Sequence, residues 1–106
     1  MSKSLFSVRN KKHAKHPYVI VGANRTKFNA MSLEHNAIKR KSKGKGYKHN
    51  LPLIKNPNPN DNKPSYLRKQ IISDFKFNFS KAFKNYKISD EDAINIMIYL
   101  ESKKKK

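Results

Sequence analysis

A chain of 106 residues can close around one modest core, burying roughly two-thirds of the surface its unfolded form exposes. Its 25 Lys plus Arg stand against 7 Asp plus Glu, a formal net charge of +18, and such an imbalance repels itself unless a polyanion relieves it. No apolar run approaches the ~20 residues of a membrane span, Met1 to Lys12 is too polar for the h-region of a signal peptide, and the absence of cysteine excludes disulfides and thiolate metal sites. The expectation is a cytoplasmic protein with no membrane partner.

In chain order, residues 1–16 read as a basic N-terminal arm carrying Lys11, Lys12 and Lys15. Tyr18-Val19-Ile20-Val21 follows Pro17 and is stopped by Gly22 and Asn24, the pattern of a buried strand. Lys27 to Leu33 alternates, with Phe28, Ala30 and Ser32 on one face and Met31 and Leu33 on the other, close enough to the first strand to form a hairpin. Lys39 to His49 (KRKSKGKGYKH) cannot bury apolar surface and reads as a basic loop. Leu51 to Ile54 contains Pro52 and suits a sheet edge, and Asn56 to Pro64, rich in proline, is a loop.

Ser65 to Ile72 is a further strand candidate, and Asp74 to Phe79 alternates Phe75, Phe77 and Phe79 against Lys76 and Asn78. One-face alternation of this kind reads as core more readily than as an aromatic stacking platform. Ser80 to Tyr86 is a turn or loop. Ser89, with Asp92 three positions on, opens a helix whose stripe is read as Ala93, Ile94, Met97, Ile98 and Leu100. Residues 103–106 form a lysine tail. The fold class expected is mainly β with a C-terminal α-helix, a single domain over 17–102 built as a small SH3-like barrel of about five short strands.

The basic segments carry the functional signal. Lysines and arginines displace counterions from phosphates, and an aromatic among them can stack on an unpaired base. The candidate nucleic-acid contacts are Lys11, Lys12, Lys15, Lys27, Lys39, Arg40, Lys41, Lys43, Lys45, Tyr47 and Lys48, with RNA as the partner. Candidate chemistry centres on His16, before the first strand, and His35, after its hairpin partner. Two imidazoles at one phosphate can serve as base and acid in RNA transesterification. Glu34 could orient a histidine or act as base, and Arg25 could steady the phosphate charge. The plain alternative is that both histidines are polar residues at strand ends. His13 and His16 lack a third ligand, so no metal and no cofactor are expected.

Lys15-His16-Pro17-Tyr18-Val19-Ile20-Val21, the polar segment Met31-Ser32-Leu33-Glu34-His35-Asn36, Pro64-Ser65-Tyr66-Leu67 and the ending from Phe79 to Glu101 together resemble the MazF/PemK family of toxin endoribonucleases, over roughly Lys15 to Ser102. The family's basic catalytic position falls on His16 and its polar one on Glu34 or His35. The resemblance implies an SH3-like barrel, metal-independent RNA cleavage, a homodimer and inhibition by an acidic antitoxin. The alternative is a non-catalytic nucleic-acid-binding protein, ribosome-associated or accessory to a mobile element.

Overall fold

Five strands form one antiparallel sheet: β1 (Val8–Arg9), β2 (Tyr18–Ala23), β3 (Lys27–Glu34), β4 (Leu51–Leu53) and β5 (Ser65–Phe75), in the order β1-β2-β3-β5-β4. A 3-10 turn, Lys76–Asn78, follows β5, and helix α1 spans Asp90–Lys104. The computed structural model describes residues 5–34 and 50–104. The mainly β class with one C-terminal helix is the one expected from the sequence.

The hairpin forms where the sequence placed it. Asn24 closes its turn: the backbone N–H groups of Thr26 and Lys27 donate to its side-chain oxygen at 3.0 and 2.8 Å. Tyr18 then pairs with Ser32 and Ile20 with Ala30. The register slips once, between Ile20 and Gly22, and a Cβ on Gly22 would sit 3.2 Å from Asn29 Nδ2. Both faces of β3 are buried from Ala30 to Leu33. Met31 and Leu33 join Val8, Val19 and Leu67 beneath Ile88 and Ile96, while Ile20, Phe28 and Ala30 meet Phe79 on the opposite face.

Four expectations are corrected. Residues 5–16 are not a free arm. Val8 is 1 % exposed, β1 pairs with β2, and Lys11 bridges to Phe79, so the fold begins well before Pro17. Asp74 to Phe79 is not a strand of its own, because β5 runs to Phe75 and the chain then turns. The helix buries Asp92 and Ile96, with Ala93, Tyr99 and Leu100 partly covered, and leaves Ile94, Met97 and Ile98 outside. It also continues through Lys103 and Lys104, which the sequence reading gave to a tail.

Asp92 is what sets the helix rotation. Its carboxylate, fully buried, accepts from the N–H groups of Ile54 (2.8 Å) and Lys55 (3.1 Å) and from the Ser89 hydroxyl (3.0 Å). Ser89 Oγ in turn accepts the Asp92 N–H at 3.2 Å, capping the helix. An anchored carboxylate facing inward at position 92 forces positions 96 and 99 inward as well.

Candidate nucleic-acid interface

The end of β5 is where the alternation breaks, and local hydrogen bonds break it. Asp74 Oδ1 accepts from the Phe75 N–H (2.8 Å) and from Asn78 Nδ2 (2.9 Å), and the Phe79 N–H donates to the Lys76 carbonyl (3.1 Å). These bonds offer the backbone a turn in place of a strand. Phe79 rotates inward against Phe28, ring centroids 5.3 Å apart. Phe75 and Phe77 are left 43 % and 72 % exposed, their rings 5.3 Å apart and within 5° of parallel. The one-face alternation points all three phenylalanines to the core, and only Phe79 goes there.

Cations gather at this end of the sheet, on both of its faces. Lys27 stands opposite Phe75 in the β3–β5 register, with its ammonium 5.0 Å from the ring centroid. Lys76 and Arg9 approach the Phe28 ring at 5.4 and 4.9 Å. Arg9 is fixed by Ser7 Oγ (3.0 Å) and the Ser80 carbonyl (3.1 Å), and partial burial lowers its pKa from the ordinary value without discharging it. Lys76 N–H donates to the Thr26 carbonyl, which brings the exposed Arg25 turn alongside. An open groove of about 340 Å³ is lined by Lys11 and Lys12 with Phe77 and Asn78 beside them, where the Lys12 N–H donates to the Asn78 carbonyl at 2.9 Å.

One carboxylate lies in this region. Asp74 pairs with Lys11 at 3.1 Å, and its pKa is held below the usual carboxylate range by the Asn78 amide, then by the Lys11 ammonium and the Phe75 N–H. Lys11 is therefore partly spent on Asp74. Lys12 and Lys15 are exposed.

The catalytic set is divided. The Leu33 N–H donates to the Pro17 carbonyl at 2.9 Å, and the ladder places His16 and Glu34 at the same end of the hairpin, His16 exposed and Glu34 half-buried. Arg25 lies in the turn at the other end, roughly 20 Å away along β2 by strand rise. Arg25 thus cannot steady a phosphate held by His16, and its grouping with that residue is corrected. His35, Lys39, Arg40, Lys41, Lys43, Lys45, Tyr47 and Lys48 lie outside the described residues. Among the described residues, no group of three or more His, Asp or Glu comes together.

Sequence reasoning missed Arg9, Lys76 and the outward turn of Phe75 and Phe77. The signal was present: Asp74 and Asn78 flank the phenylalanines, and both side-chain types compete with strand hydrogen bonds. Comparison with known proteins returns no match: no family model, no curated protein and no solved structure aligns with this chain.

Proposed function

We propose that this protein binds single-stranded RNA, with bases stacking on Phe75 and Phe77 and phosphates meeting Lys27, Lys76, Arg25 and Lys12. The observation that carries the reading is the stacked, exposed phenylalanine pair with the Lys27 ammonium over Phe75. Exposed aromatics cost a protein in water, and every base offers a π-face that repays the cost without sequence preference. The net charge of +18 supplies the electrostatic attraction. Fluorescence anisotropy with labelled oligouridine tests it. The double variant Phe75→Ala, Phe77→Ala should lose about 1–3 kcal/mol per stacked base, roughly 5- to 150-fold in Kd, at unchanged thermal stability. Equal affinity of variant and parent would sink the reading.

A second reading, the metal-independent endoribonuclease with its acidic antitoxin and homodimer, draws on His16 and Glu34 lying at the same end of the hairpin. Within hydrogen-bond reach, a carboxylate can fix the orientation of an imidazole that acts as general base. Incubation with mixed RNA in EDTA should then yield 2′,3′-cyclic phosphate ends, and His16→Ala should abolish most of them. Intact RNA, or cleavage indifferent to His16→Ala, discards this reading and leaves binding alone.

A further inference from the structure

Between the Met31–Ile71 and Leu33–Leu67 pairs, the three residues Arg68, Lys69 and Gln70 of β5 stand against the single Ser32 of β3. The long strand bulges there, and a bulge re-aims the side chains it carries. Tyr99 of α1 holds the bulge in place by donating its hydroxyl to the Lys69 carbonyl at 2.7 Å. Its ring has two ammonium groups nearby, Lys69 at 5.9 Å and Lys103 at 5.6 Å from the centroid. Around them opens a groove of about 760 Å³ whose lining contains Arg68, Lys69 and Lys103 and no carboxylate. With three cations and no carboxylate in its lining, the groove offers an anion positive charge without a fixed competitor.

This groove shares a sheet face with the aromatic pair. Ile71, at its edge, lies on the same side of β5 as Ser73 and Phe75; across from them on β3 stand Met31, Asn29 and Lys27. Ser73 and Asn29 are exposed, so beyond the helix the face is an open polar strip leading from the groove to the aromatics. From Lys69 to Phe75 is roughly 20 Å at strand rise.

We propose that one single-stranded RNA follows β5 as a continuous track, its bases on Phe75 and Phe77 at one end and its phosphates held by Arg68, Lys69 and Lys103 at the other. The inference rests on the RNA-binding reading above and extends it to a second site. The occupied length sets a site of about four nucleotides or more, at the lower end of the range for single-strand binding modules.

The test uses the full chain, labelled U3 and U12, and anisotropy across a salt series. The variant R68Q/K69Q/K103Q should bind U12 roughly tenfold more weakly, with a salt slope smaller by about 2, since each lost phosphate contact on a single strand removes about 0.7. U3, too short to reach both ends, should change less than about twofold by the same reasoning. A control of equal charge loss, K55Q/K84Q/K87Q, should leave the U12 slope nearer the parent's. Equal losses on U3 and U12, or a control as damaging as the groove variant, would overturn the track in favour of general charge. If F75A/F77A weakens U12 and the groove variant does not, the aromatic platform stands and the track falls. If only the groove variant weakens U12, the groove binds alone and the single track is again overturned. If neither does, both readings fall together.

Discussion

Asp92→Ala should be among the most damaging single substitutions in this protein. The side chain is fully buried, and its loss leaves the N–H groups of Ile54 and Lys55 and the Ser89 hydroxyl without the acceptor they share. Each orphaned polar group costs about 1–3 kcal/mol, less where water can reach it. Ile54 and Lys55 have exposed side chains, so solvent offsets part of that cost, and the sum comes to about 2–5 kcal/mol. Against a total stability of about 5–15 kcal/mol this is a large share. At about 4–8 °C per kcal/mol for a domain near this size, the melting temperature should fall by about 8–40 °C. Asp92→Asn keeps one acceptor oxygen and presents an NH2 where the second was, so its loss should be intermediate. Urea denaturation followed by circular dichroism gives the free energies, with an unchanged m-value as the check that the unfolded state is unaltered. An Asp92→Ala variant within about 1 kcal/mol of the parent, below the cost of even one orphaned donor, would refute the claim that this carboxylate fastens helix to sheet.

Two further outcomes follow from burial and charge. Ile96→Ala should cost about 2–5 kcal/mol, whereas Met97→Ala, whose side chain is 46 % exposed, should cost well under half of that; the reverse order in thermal melts would mean that the helix packs by its other face. Because the folded pKa of Asp74 is depressed, its contribution to stability is present at neutral pH, persists down to the ordinary carboxylate range, and is lost as pH falls through the folded pKa. A carboxyl NMR titration should place its midpoint below that of a free aspartate, and a midpoint at or above it would dissolve the Asp74–Lys11–Asn78 cluster.

The hairpin was legible because its signals are local: a β-branched run, an Asn turn and an alternating partner. β1 was not, since two residues carry no periodicity and Val8 is buried by partners far along the chain. The helix was legible in extent and misread in rotation. Apolar residues lie around most of its circumference, and the deciding contact, Asp92 to the Ile54 and Lys55 amides, joins segments 37–38 residues apart. The site divides in the same way. Cation-rich segments are visible in composition, but whether an alternating phenylalanine faces core or water depends on whether the strand continues, and Asp74 ends it within a few residues.

The inventory of acids on α1 has a kinetic consequence. Of the seven Asp and Glu in the chain, Asp90, Glu91, Asp92 and Glu101 lie on this one helix, and Asp90, Glu91 and Glu101 are exposed. Acids are thus concentrated on α1, while most of the described lysines and arginines lie outside it, and the charge has a direction as well as a size. A polyanion diffusing toward the protein would meet uneven charge: the exposed acids of α1 repel it, while the lysines and arginines along the strands, Lys27 and Lys69 among them, attract it. Fewer encounters are wasted on the wrong side, and the gain appears in the association rate, fading as salt shortens the reach of the field to about 8 Å at physiological ionic strength.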